Sequence, residues 1–150
     1  LVNENTCLQE LLNDAINIVK IQSPTHNIIF TKYNEVPRVN VDKSKVSQAV
    51  LNLLSNAVKY SPPESTITVG LRKMDHTVKI EVADEGPGID QENKEKIFNK
   101  FFRIQASSSK EGFGLGLPIV KAIAELHGGA VTVESISGQG STFTISLPLA

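Results

Sequence analysis

Cysteine is almost absent: Cys7 is the only one in 150 residues. A lone thiol closes no internal disulfide, so nothing argues for an oxidising compartment. A chain of about 150 residues buries ~68–70% of the surface its unfolded form exposes, so it needs no covalent or metal staple. Long apolar runs are missing as well. None reaches the roughly 18 residues of a membrane helix, and no signal peptide opens the chain. Nor is there an excess of one charge: 15 basic residues face 16 acidic ones, for a net charge of -1. Without a basic field or a Lys/Arg-rich run, nucleic acid is not an expected partner. Repeats and low-complexity tails are absent, and the only serine-rich stretch is Ser107 to Ser109. The length suits one domain.

Glycine is present at an ordinary level, but its placement is not ordinary. Nine of the ten fall in clusters: 86 and 88; 112, 114 and 116; 128 and 129; 138 and 140. Only Gly70 stands alone.

Apolar spacing outlines the elements between these clusters. Leu8, Leu11, Leu12, Ala15, Ile16 and Val19 recur at helical intervals, so a helix is expected over roughly residues 7–20. His26 to Tyr33 reads as a strand, and Pro37 to Val41 as a short second one. Asp42 is a good N-cap for a long helix that runs to Tyr60 and stops at Ser61-Pro62-Pro63. The period then changes to two. Ile67, Val69 and Leu71, then Val78, Ile80 and Val82, alternate with polar residues and meet in a hairpin at Lys73 to His76. A third helix is expected from about Leu115 to Leu126, with Pro118 in its first turn and glycine after its end. Val131 and Val133, then Phe143, Ile145 and Leu147, close the chain as two more strands. Strands with one apolar face need cover on one side only. The expected fold class is α+β: a two-layer α/β sandwich whose mixed, mostly antiparallel sheet is covered on one face by about three helices.

Three segments carry candidate chemistry. On the long helix, at about 100° per residue, Gln48, Asn52, Ser55, Asn56 and Lys59 share one side, with Tyr60 at its edge. Such a stripe can be a solvated face, yet asparagine is a mediocre helix former and two of them stand one turn apart. Paired amide oxygens can instead ligate a hard cation such as Mg2+, which also holds phosphates. Asp84-Glu85-Gly86-Pro87-Gly88-Ile89 follows directly from a strand. It is either a plain turn or a place where a carboxylate accepts from an exocyclic amine while glycines let a flat ring approach the main chain. Gly112-Phe113-Gly114-Leu115-Gly116-Leu117 opens a helix whose free N–H groups suit phosphate, although a hinge explains it equally. It is neither a P-loop nor the dinucleotide glycine fingerprint. The long polar segment between these turns, with Ile97, Phe98, Phe101 and Phe102 as anchors, has the character of a lid.

The order of the pieces is more specific than any one of them. Asn52 to Pro62 (NLLSNAVKYSP), Asp84 to Ile89 (DEGPGI), Ile97 to Arg103 (IFNKFFR) and Gly112 to Leu117 (GFGLGL) closely resemble the asparagine, first glycine, phenylalanine and second glycine boxes of sensor histidine kinases. Gly138 to Phe143 (GQGSTF) resembles the family's last glycine box. The resemblance covers essentially the whole chain. It implies the Bergerat ATP-binding sandwich that the family shares with DNA gyrase, MutL-type repair proteins and the large heat-shock chaperones.

It also implies roles. ATP and Mg2+ are the expected ligands. Asn56 would coordinate the metal with support from Asn52, Lys59 would face the phosphates, and Tyr60 would lie against adenine. Asp84 would receive the adenine amine, with Gly86, Gly88 and Ile89 shaping that wall and Thr142 lining the pocket. Gly112, Gly114 and Gly116, with Phe113, Leu115 and Leu117 among them, would form the lid end beside the triphosphate. Phe98, Phe101 and Phe102 would anchor the lid, and Arg103 would reach the γ-phosphate or the partner domain. Asn52, Asn56, Lys59 and Arg103 form the implied catalytic set. Phe113 departs from the family pattern, in which small or polar residues are commoner.

Position 52 bears on the reaction. Hydrolysing relatives resemble this helix but carry glutamate there as the base that activates water; asparagine cannot take up that proton. The implied reaction is therefore phosphoryl transfer to a nucleophile supplied from outside. In the family this is a histidine on a helical dimerisation domain, and the phosphate passes on to a response-regulator receiver domain. His26, His76 and His127 lack the expected context, so the chain reads as a catalytic domain over residues 1–150 without its phosphoacceptor domain. Its site is expected in the cytoplasm, with or without a membrane anchor elsewhere in the parent. A nucleotide-binding regulatory module and a hydrolysing ATPase are the alternatives.

Overall fold

Period-two alternation builds a sheet, and helical apolar stripes roof it. The computed structural model describes residues 1–94, 96–99 and 113–149, with the backbone alone at 113–115. In chain order the elements are β1 (Glu4–Thr6), α1 (Leu8–Gln22), β2 (Asn27–Lys32), β3 (Val39–Val41), α2 (Lys43–Tyr60), β4 (Thr66–Met74), β5 (Thr77–Asp84), α3 (Phe113–Leu126), β6 (Ala130–Ser135) and β7 (Ser141–Pro148). Two short 3-10 turns, Gln91–Asn93 and Lys96–Phe98, follow β5.

The main sheet has the order β2-β4-β5-β7-β6. Only β2 and β4 run parallel; the crossover between them carries α2. The other three pairings are antiparallel. Register aligns the apolar residues of three neighbouring strands in rungs: Val82, Phe143 and Val133, then Ile80, Ile145 and Val131. The helices share one buried core with these rungs: α2 lies against β5, α3 against β6 and β7, and α1 against β2 and α2. The six apolar residues read on α1 are all buried, as are Val46, Val50, Leu53 and Leu54 of α2 and Leu117, Val120, Ile123 and Ala124 of α3. The opposite face is polar, and there Arg72 pairs with Glu81 (3.1 Å) while lying 4.1 Å from the centre of the Tyr33 ring. Gly70 leaves the space this cluster fills, since a Cβ there would come within 2.9 Å of Tyr33. The observed architecture is the two-layer sandwich expected from the alternation.

Helix ends follow local chemistry. The Asp42 carboxylate caps α2 by accepting from the Lys45 N–H (3.2 Å), and it also accepts from the Val2 N–H (3.0 Å). The Val2 bond first, and then the Lys45 bond, hold its carboxyl below the ordinary carboxylate range. At the far end of α3, Gly128 takes a φ of +76° and the Gly129 N–H closes on the Ala124 carbonyl (2.9 Å). His127 joins the two helices: Nε2 accepts from the Asp42 N–H (3.0 Å) and Nδ1 bonds the Ile123 carbonyl (2.8 Å).

Two features differ from the sequence reading. The strand at Val39–Val41 does not join the main sheet but pairs with β1 in a separate antiparallel ribbon. Glu4–Thr6 is too short for its alternation to stand out. Second, α3 begins at Phe113 rather than Leu115, so Pro118 lies beyond the first turn. Its ring removes one helical N–H, a loss that packing of Leu117 and Val120 into the core offsets.

Candidate functional site

Where the apolar rungs of the sheet end, a polar one begins. Asp84 of β5 is in register with Ser141 of β7, which is in register with Ser135 of β6. All three continue the inward phase of Val82, Phe143 and Val133. Ser135 and Ser141 are buried, and Asp84 is partly buried. Burial pushes the Asp84 carboxyl above its ordinary range, and bonds from the Gly86 and Ser141 N–H groups pull the other way. The Gly86 bond is 2.8 Å. A carboxylate so held keeps lone pairs for a further donor.

The glycines around Asp84 serve close backbone packing. A Cβ on Gly86 would stand 2.7 Å from the Tyr60 carbonyl at the end of α2. One on Gly88 would strike the Ile136 carbonyl, and one on Gly140 would strike the carbonyl of Asp84 itself. The Gly138 N–H donates to the Pro87 carbonyl. Thus the turn after β5 is clamped between the last turn of α2 and the β6–β7 turn. These contacts within the protein hold Gly86 and Gly88 in place beside Asp84 and position its carboxylate from both sides.

The turn after Asp84 meets the end of α2 at Tyr60, and the polar stripe runs back along that helix. Asn56 is only 8% exposed, and its Nδ2 has no hydrogen-bond partner among the described residues. Gly116, in the first turn of α3, faces it: a Cβ there would lie 3.5 Å from Nδ2 and 4.0 Å from the Asn52 Cβ. Asn52 and Tyr60 are half-buried, while Lys59 is exposed. A buried carboxamide with an orphaned amide group is costly unless a ligand completes it. Among the described residues no group of three or more His, Cys, Asp or Glu could hold a metal. A cation here would therefore lean on amide oxygens and on the phosphates it accompanies, a donor set that fits Mg2+.

Other expected site residues divide three ways. Ile89 is buried, and its N–H donates to Ser135 Oγ (2.7 Å). Leu117 is fully buried in the core, and Phe98 meets Phe143 edge-on with ring centres 6.2 Å apart. Thr142 pairs with Ala83 and Glu134, out of phase with Asp84, although it borders with Asp84 a cavity of about 220 Å3 at the sheet end. Phe101, Phe102, Arg103 and Gly112 lie outside the described residues, as does the Ser107–Ser109 run; Phe113, Gly114 and Leu115 are described only as backbone in the first turn of α3. Ser135 and Ser141 were not among the sequence candidates. Their signal was present: each continues an alternating apolar run toward the glycine turn at 138–140.

The family model described as histidine kinase-, DNA gyrase B-, and HSP90-like ATPase matches residues 41–150. The adaptive-response sensory kinase SasA of Rippkaea orientalis is 36% identical over 142 residues, covering 94% of this chain and 36% of that relative's length. Among solved structures, the mycobacterial sensor histidine kinase MprB is 33% identical with a TM-score of 0.86, covering 98% of this chain and 97% of that one. Full-length ShkA in complex with AMPPNP is 28% identical with a TM-score of 0.89, covering all of this chain and 32% of that one. The chain thus spans about a third of the curated relative it matches.

Proposed function

The chain belongs to the histidine kinase-, DNA gyrase B-, and HSP90-like ATPase family, and from that premise we propose that residues 1–150 are the catalytic unit of a sensor histidine kinase. Family membership brings ATP binding with it. The finer reading is that this unit binds ATP with Mg2+ and delivers the γ-phosphoryl group to a histidine on a separate dimerisation domain, from which a response-regulator receiver takes it. The site works from the cytoplasm.

One observation carries this reading. The turn bearing Asp84 packs, through Gly86, against the carbonyl of Tyr60. That carbonyl lies one helical turn beyond Asn56. This contact joins the turn that bears Asp84 to the helix that carries the buried, incompletely bonded carboxamide of Asn56, which supports one site served by both. Asp84 accepts from the exocyclic amine of adenine. The amide oxygen of Asn56, supported by Asn52 one turn earlier, would hold Mg2+, and the ion would supply the charge that neutralises the phosphates. Lys59, exposed at the same end of α2, adds positive charge beside the phosphates. Asn52 has no basic group with which to activate water, so the nucleophile is the imidazole nitrogen of the incoming histidine. That nitrogen forms a bond to the γ-phosphorus as the bond to the β,γ-bridging oxygen breaks, and ADP leaves.

Calorimetry with an ATP analogue, with and without Mg2+, tests the site. Asp84→Asn should weaken binding under both conditions, whereas Asn56→Ala should remove mainly the gain that Mg2+ provides. Unchanged affinity in both variants refutes the assignment. Adding the histidine-bearing domain in trans with γ-labelled ATP tests the reaction. No labelled phosphohistidine, in a mixture where nucleotide binds, rules out the transfer.

A further inference from the structure

The polar rung that ends the sheet contains a group without a part in the reading above. Ser135 is 8% exposed, and its hydroxyl sits at a junction of three chain segments. It accepts from the Ile89 N–H (2.7 Å), donates to the Gly140 carbonyl (2.9 Å) and lies 2.9 Å from Ser141 Oγ. Ile89 is in the turn that follows Asp84. Gly140 and Ser141 belong to the turn and strand whose backbone presses on Asp84 and bonds its carboxylate. One oxygen therefore ties both sides of the clamp around the carboxylate, although its bonds among the described residues go to Ile89, Gly140 and Ser141 and not to Asp84 itself.

We propose that Ser135 is a positioning residue for adenine recognition: its hydroxyl holds the Ile89 turn and the Gly140–Ser141 backbone in the register that aims the Asp84 carboxylate at the base. This rests on the adenine reading of Asp84. The physical reason is directional. A carboxylate accepts well only along its lone-pair directions, so a small displacement of its two backbone donors misaligns the remaining acceptor position. A buried hydroxyl is suited to hold it, because removing it takes from the Ile89 N–H and the Gly140 carbonyl the one group that joins them. Phosphate and metal contacts lie on α2 and α3, away from this junction, so they should be indifferent to Ser135.

That separation of base from phosphate supplies the test. Binding of ADP and of inorganic tripolyphosphate with Mg2+ is measured calorimetrically on the chain and on Ser135→Ala, Ser135→Thr and Asp84→Asn. Ser135→Ala should lose about tenfold in ADP affinity, about 1.4 kcal/mol, and remain within about twofold for tripolyphosphate. Ser135→Thr, which keeps the hydroxyl, should recover most of the loss. Unchanged ADP affinity in Ser135→Ala, or equal losses for both probes, overturns the proposal. If Asp84→Asn also leaves ADP affinity unchanged, the adenine reading falls with it; if only Ser135→Ala is silent, the positioning role alone falls. A measurement on the unaltered chain guards against a variant that does not fold. By amide exchange, the Ile89 and Ser141 N–H groups should gain protection together on ADP and not on tripolyphosphate. Exchange at Ile89 that ignores ADP refutes the role.

Discussion

Gly138 and Gly140 sit two residues apart in one turn, and replacing each by alanine separates backbone strain from contact with Asp84. Both have positive φ, +85° and +95°. A side chain at either position pays for that conformation, about 1–2 kcal/mol. Their surroundings differ. A Cβ on Gly138 meets nothing within 4 Å, whereas one on Gly140 runs into the Asp84 carbonyl and comes within 3.3 Å of the Glu85 Cα. Relieving that clash means shifting the end of β5 or the turn, an overpacking cost of about 1–3 kcal/mol. Gly138→Ala should therefore lose about 1.5 kcal/mol, and Gly140→Ala about 3.5 kcal/mol. At roughly 3 °C per kcal/mol for a chain of this size, the expected falls in Tm are about 4 °C and about 10 °C. Binding should diverge further. Gly138→Ala keeps its N–H bond to Pro87 and should bind ADP within about twofold of the parent. Gly140→Ala moves the carboxylate and should bind at least about tenfold more weakly. Thermal unfolding and calorimetry measure both quantities on the same samples. Equal losses of stability, or normal ADP binding in Gly140→Ala, would refute the claim that this turn positions Asp84.

Acidification should weaken ADP binding through Asp84, because only the ionised carboxylate offers all its lone pairs to the amine. Its folded-state pKa is raised by burial, so the loss should begin above the ordinary aspartate range, and a pH titration of Asp84→Asn should show it flattened. The stability sign is opposite to that of a paired carboxylate. With a raised folded pKa, the unliganded chain loses stability as pH rises through the interval between the unfolded and folded values, and Asp84→Asn should remove that slope in urea unfolding. His127→Ala strips the partner from the Asp42 N–H and leaves the Ile123 carbonyl with only the His127 backbone N–H; the expected cost is about 1–3 kcal/mol in unfolding, and a Tm equal to the parent's would dismiss the joint. Leu54 is wholly buried between α2 and the sheet, so Leu54→Ala should cost about 2–5 kcal/mol with ADP affinity retained where the chain stays folded.

Much of the fold could be read without coordinates because its signals are local. Asp42 caps α2 and Tyr60 ends it where the sequence says, since a capping carboxylate and a Ser-Pro-Pro stop act over a few residues. Alternation located β4 to β7 within a residue or two. The start of α3 was misjudged, as the proline rule describes an isolated helix and not one whose next residues are drawn into a core. Glu4–Thr6 has no pattern of its own and becomes a strand only because Val39–Val41 lies beside it. At the site, Asp84 and Asn56 stood out as polar groups in unusual company. Ser135 and Ser141 did not, since a serine at the end of an alternating apolar run is ordinary until register aligns it with a carboxylate.

The glycines mark the boundary between the two kinds of information. Their clustering, with the asparagine pair and the carboxylate after β5, was enough to identify a nucleotide-binding family, because motif order is a property of the linear chain. What each glycine does was decided by the tertiary structure. Gly86, Gly88 and Gly140 are small because other backbones press on them, and Gly138, two residues away, has positive φ and open space. Local chemistry selects helices, turns and the phase of each strand, since these depend on neighbours a few residues apart. Which carbonyl meets which Cα, and which hydroxyl joins two turns to one carboxylate, depends on strand register and helix packing across more than 40 residues (Asp84 to Ser141, Ser135 to Ile89), where no local rule reaches.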